Sequence, residues 1–155
     1  MHADQSGAPL KLRAEDTDDL AVISACLQDA LVAVRDLAFV PQDHTFLMVA
    51  NRFRWEQASR PASGETEYQR TLCGLTFSTV ESVSYHGFRR SEGARILSLL
   101  SIRPGRDSEQ DKVLLEFSEG ATIRLVVGRI LCHAQDLGEP WPTPWQPRHD
   151  VDERV

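Results

Sequence analysis

Four arginines have the type and spacing to do chemistry: Arg52, Arg54, Arg124 and Arg129. A guanidinium is always charged, and its planar fork matches a carboxylate or a phosphate. Arg52 and Arg54 lie in the run Leu47-Met48-Val49-Ala50-Asn51-Arg52-Phe53-Arg54-Trp55-Glu56. Side chains on a strand alternate with period two, so both arginines share one face. Arg124 takes the polar parity of Ile123-Arg124-Leu125, and Arg129 follows Gly128. If these strands are neighbours, the four groups form an anion-binding patch. The competing reading is cross-strand pairing with Glu56 and Glu116, which gives a solvated face of mixed sign and no function.

Metal and nucleophile chemistry find less support. The soft ligands Cys26, Cys73, Cys132, His44, His86, His133 and His149 form no CxxC or HxxxH pair. Cys132 and His133 are adjacent, so on a strand they point to opposite faces. Neither a metal site nor a cofactor is expected. Cys73 and Cys132 fall on apolar parities, where a thiol serves as a small core residue. No GxSxG elbow and no Gly-rich phosphate loop occurs. No catalytic residue is assigned.

The elements that must position the arginines are mostly strands. Leu10–Ala14 reads as a short first strand. Asp16-Thr17-Asp18-Asp19 caps the single convincing helix, whose stripe is Leu20, Ile23, Leu27 and Leu31 and whose end falls near Gln28–Leu31. Leu31–Val40 and Thr45–Glu56 read as a hairpin across the turn Pro41–His44. On the second of these strands, Leu47, Val49, Phe53 and Trp55 are expected to face the core. Gln57–Arg70 reads as a surface loop. Leu72–Tyr85 is a strand bent near Ser78–Thr79. Ile96–Ile102 reads as a central buried strand, and Val113–Phe117 and Ile123–Val127 alternate. Gly128 marks a bulge before Ile130–Ala134. Leu137–Trp145 contains Pro140, Pro142 and Pro144 and reads as an extended strap, with Trp141 and Trp145 folded onto their own sheet.

Together these predict an α+β fold: a strongly bent antiparallel sheet of six or seven strands with one N-terminal helix. The sheet curls into a half-barrel or into two near-orthogonal layers. The order is superficially like a pleckstrin-homology-type barrel, but prolines occupy the place of its C-terminal helix. Residues 10–147 read as one sheet-rich domain, with 1–9 and 148–155 as flexible tails.

Seventeen basic residues are outnumbered by 23 acidic ones, a net charge of −6, which opposes binding to nucleic acid. Three cysteines are an odd set with wide spacing, which suits a reducing compartment better than a disulfide framework. No apolar run reaches the ~18 residues of a membrane helix, and no secretory signal is visible at the N-terminus. The expected location is the cytoplasm, with no membrane partner.

Leu27-Gln28-Asp29-Ala30, Asn51–Glu56, Ile123-Arg124-Leu125 and Asp136-Leu137-Gly138-Glu139-Pro140-Trp141 resemble, in order and spacing, the blocks of a small bacterial family catalogued as a domain of unknown function. The resemblance spans about residues 10–150. It implies a self-contained domain and brings no activity or catalytic residue with it. The expected function is therefore a non-enzymatic cytoplasmic interaction or accessory module with a protein partner. The alternative is a small enzyme, or a binder of a small anionic metabolite, that uses the arginine-bearing sheet face.

Overall fold

Asp16 starts the helix: its side chain accepts a hydrogen bond of 2.8 Å from the Asp19 amide, satisfying one of the orphan donors of the first turn. The computed structural model describes residues 8–55, 68–106 and 111–143. In it α1 spans Thr17–Cys26, shorter than the apolar stripe predicts. Leu20, Ile23 and Leu27 are buried, but Asp29 takes φ 66° and turns the chain out of the helix. Leu31 then belongs to a strand and is exposed.

Among the described residues ten strands follow one another: β1 (Lys11–Ala14), β2 (Leu31–Ala33), β3 (Leu37–Val40), β4 (Thr45–Phe53), β5 (Tyr68–Phe77), β6 (Val80–His86), β7 (Ile96–Arg106), β8 (Asp111–Phe117), β9 (Thr122–Val127) and β10 (Cys132–Thr143). Every pairing is antiparallel, in the order β1-β10-β5-β4-β2-β7-β8-β9-β6, with β3 also on β4. The fold is α+β, and the bent sheet does not close into a barrel.

The count exceeds the six or seven strands expected, for identifiable reasons. A single helical turn at Val34–Asp36 divides Leu31–Val40 into two strands. Thr79, at φ 56°, turns the chain between β5 and β6 at the predicted bend. The proline segment is not a strap laid over the sheet but part of it: β10 continues through it, with Leu137 opposite Leu72 and Trp141 opposite Arg70. Prolines are tolerated there because, among the described residues, the β1 pairing ends at Lys11–Gln135 and no strand asks Pro140 or Pro142 for an amide donor on that side. Trp145 and most of the expected loop Gln57–Arg70 lie outside the described residues.

One apolar cluster draws on all the long strands and on α1. Its inner face carries Phe46 and Met48 of β4, Leu75 and Phe77 of β5, Leu97 and Leu99 of β7, and Leu115 of β8. Ser24 fastens the helix to this wall, its Oγ accepting from the Ile102 amide at 2.9 Å. Two expectations fail here. β7 is central but not buried on both faces, since Ile96 and Leu100 are exposed. On β4 the faces are reversed: Phe46, Met48, Ala50 and Arg52 point inward, while Leu47 lies 38% exposed on the outside. Phe53 misled the pattern. It is buried on the outer face, beneath Trp55 at 4.8 Å, Tyr68 at 5.7 Å and the Arg70 guanidinium at 5.9 Å.

Candidate functional site

Arg52 is the largest fully buried side chain in the molecule as described. A guanidinium taken out of water needs an opposite charge and satisfied donors. Asp136 of β10 supplies both. Arg52 Nε donates to Oδ1 at 2.8 Å and Nη2 donates to Oδ2 at 2.9 Å, a two-pronged ion pair. The Leu10 amide also donates to Oδ2, at 2.8 Å, so the carboxylate ties β1's lead-in to β10 and β4. Burial alone would raise the Asp136 carboxyl, but the Arg52 and Leu10 hydrogen bonds and the charges of Arg52 and Arg54 overcome it and hold it below the ordinary aspartate value.

Arg54 lies beside this pair, 3% exposed, with Nη1 donating to Gln69 Oε1 at 2.5 Å. Its backbone amide bonds the Gln69 carbonyl at 2.8 Å, which extends the β4–β5 ladder past Phe53. Thr71 is 1% exposed between them on β5, and its Oγ1 has no hydrogen-bond partner. Arg54, Thr71 and Asp136 border a cavity of about 200 Å³ under β10.

Arg124 and Arg129 do not join them. Arg124 is exposed on β9, separated from β4 by β2, β7 and β8, and lies opposite Leu114 and Ser84. It borders a surface concavity of about 280 Å³ with His86 and Thr122. Arg129 is exposed in the turn before β10, where its backbone meets Thr79. The expected four-arginine patch is therefore corrected to one buried pair, Arg52 and Arg54, and two separate surface residues. The expected partner Glu116 instead accepts from Arg103 at 2.7 Å and from Ser101 at 3.0 Å.

The chain belongs to the family described as protein of unknown function, DUF2948, whose model matches residues 10–149. No curated protein and no solved structure matches it. Two blocks on which the sequence resemblance rested, Asn51–Glu56 and Asp136–Trp141, meet at the Arg52–Asp136 pair.

The sulfur and histidine candidates stay apart. Among the described residues no three His, Cys, Asp or Glu side chains are grouped to hold a metal. Cys73 and Cys132 are fully buried free thiols. Burial, reinforced by the Asp136 charge, pushes Cys73 up to about 12; burial, reinforced by Cys73, does the same for Cys132. Neither is a ready thiolate at neutral pH. Among the described residues no helix is long and apolar enough to cross a membrane.

Sequence reasoning missed two features. One is Asp136, whose partner is 84 residues away. The other is the outward apolar row Leu137–Leu72–Asn51–Leu31, whose members are direct cross-strand partners on β10, β5, β4 and β2. Its three leucines are 42%, 40% and 37% exposed. Trp141 shares the face one pair further along β10, past its bulge, and Ile96 continues the exposure on β7.

Proposed function

We propose that this protein is a non-enzymatic interaction module, which docks a protein partner on the outward face of its sheet. The observation that carries the reading is the row Leu137–Leu72–Asn51–Leu31, with Trp141 and Ile96 exposed beside it and Leu47 exposed further along the same face of β4. Large apolar residues side by side on an exposed sheet favour association, whereas single ones scattered over a surface are ordinary. Cys73 and Cys132 are buried and held as thiols, and Arg124 and Arg129 stand apart from Arg52 and Arg54, which favours recognition over catalysis. Three cysteines outside any disulfide suit a reducing, cytoplasmic setting in a bacterial cell.

The test is affinity capture from lysate with the full chain and with a Leu72→Ser/Leu137→Ser variant. The reading expects a stoichiometric partner bound by the first and not by the second, with both chains melting within a degree or two of each other. Equal recovery by the two would move the interface off this face. A chain that captures nothing would remove the reading.

A further inference from the structure

The β6 end of the sheet carries a second group of polar side chains on its outer face. The register sets Ser84, Arg124 and Leu114 side by side on β6, β9 and β8, and sets His86 beside Thr122 one row further along. Between the two rows, Tyr85 and Ile123 turn the other way, the first packed against the core and the second buried in it. The five outward residues line the concavity of about 280 Å³. Among the described residues β6 pairs with β9 alone, so the concavity lies at the end of the sheet.

The charges of this face single out Arg124. The row of His86 and Thr122 continues into Glu116 on β8. That carboxylate is already engaged from the other side: it accepts from Arg103 at 2.7 Å and from Ser101 at 3.0 Å, both on β7. A face of mixed sign would pair Arg124 across the ladder. Its cross-strand neighbours are instead Leu114 and Ser84, which carry no charge. Arg124 makes no hydrogen bond or ion pair with the described residues, and the described wall of the concavity contains no Asp or Glu. We infer that this concavity binds the phosphate group of a small phosphomonoester, with Arg124 as its cationic partner and Ser84, Thr122 and His86 as further donors.

The layout of the donors selects that group. Neighbouring strands lie about 4.8 Å apart, and residues two apart along a strand lie about 6.6 Å apart. Ser84, Arg124, Thr122 and His86 therefore stand at the corners of a small rectangle, each with a side-chain N–H or O–H to give. A phosphomonoester has three terminal oxygens in a tetrahedral arrangement, so it can reach donors in both rows. A carboxylate has two oxygens in one plane, and the Arg124 fork alone would satisfy it. Leu114, half-buried on β8, offers the carbon body an apolar contact. The volume lies just below the roughly 300–1,000 Å³ of sites for drug-sized ligands, which suits an ester of few carbons.

The experiment is calorimetric titration of the full chain with glycerol phosphate, with glycerol, acetate and a phosphoserine peptide as comparisons. Saturable binding of glycerol phosphate is expected, with a rise in melting temperature, since a ligand of the native state stabilises it. Glycerol should give neither. Arg124→Gln should weaken binding about tenfold or more, the effect of losing a hydrogen bond between charged groups. The Arg124 side chain holds nothing in the described fold, so this variant should melt as the parent does. Arg129→Gln removes an equal charge from an exposed turn and should bind as the parent does, which separates a site from general attraction. Leu72→Ser/Leu137→Ser should also bind unchanged, which separates this result from the docking face. The inference is overturned if glycerol phosphate does not bind saturably, if Arg124→Gln leaves its binding unchanged, or if Arg129→Gln weakens it equally. Acetate binding as tightly as glycerol phosphate overturns it too. A phosphoserine peptide that binds more tightly would overturn the small-molecule assignment in favour of a phosphorylated protein.

Discussion

Arg52 and Asp136, 84 residues apart, form a two-pronged ion pair inside the sheet at 2.8 and 2.9 Å. The pair joins β4 to β10, although β5 lies between those strands in the sheet. It acts across a strand, like a rivet, and fixes where β10 leaves the regular ladder two residues later.

Removing one partner should therefore be worse than removing both. Arg52→Met leaves a buried carboxylate with its main counter-charge gone, and about 3–5 kcal/mol should be lost. Asp136→Leu strands the guanidinium and should be similar. The double variant should fall short of the sum by about 0.5–3 kcal/mol in a denaturant double-mutant cycle. Strict additivity would mean that the two side chains do not interact in solution.

The same pair sets an acid limit. The Asp136 carboxyl is lower in the folded chain than its ordinary value of 3.8. Its contribution is therefore complete above that value and is lost as pH falls through the lower, folded-state one. Denaturant midpoints of the parent and Asp136→Asn should differ by a constant amount from neutral pH down to about 4 and converge below it. A difference that grows on acidification would reverse the sign and contradict the hydrogen-bond geometry.

The face of β4 illustrates what local sequence can and cannot decide. Alternation is plain in Leu47–Trp55, and it correctly gives a strand paired to β3 across the Pro41–Asp43 turn. Alternation does not say which parity is inside. Phe53 and Trp55 argue for one, yet the arginine parity is inside because Asp136 neutralises Arg52 from a distant segment. The bulge at Gly138–Pro140 was hidden for a related reason: proline removes strand signal, and only the β5 partner shows that the ladder resumes. Cys73 and Cys132 needed no partner to be placed, since their apolar neighbours share their parity.

Alanine substitutions can check that assignment of faces directly. Met48→Ala empties a fully buried site and should cost about 2–5 kcal/mol. Leu47→Ala, next door on the outer face, should cost much less, because over a third of the side chain is already in water. Chemical denaturation of the two variants reads the difference. Equal losses would show that the outer face is covered in solution.

Thiol chemistry gives a kinetic version of the same test. Cys73 and Cys132 are buried and held as thiols, so a disulfide reagent should modify them only as fast as the chain opens. Cys26, half-buried on α1, should react first. Labelling of Cys73 or Cys132 at a rate unchanged by added denaturant below the transition would indicate a route to the core in the native state.

A last pair of substitutions probes how the end of β6 is locked. Gly87 and Gly120 both have φ 82°, so alanine at either should lose about 1–2 kcal/mol from left-handed backbone strain alone. They differ in what surrounds them. A Cβ on Gly87 would lie 2.6 Å from the Gly120 carbonyl oxygen and 3.0 Å from the Ala121 Cα, both backbone atoms with little room to move. A Cβ on Gly120 would meet nothing within 4 Å. The close approach exists because His86 pairs with Thr122, so the chain leaving β6 passes directly over the turn that joins β8 to β9. Gly87→Ala should therefore exceed Gly120→Ala by about 1–3 kcal/mol, the range for forcing extra atoms into a packed site. Melting temperatures of the two variants check this. Equal destabilisation would mean that the β6 exit stands clear of that turn, and the pairing at His86 would then end earlier than the register indicates.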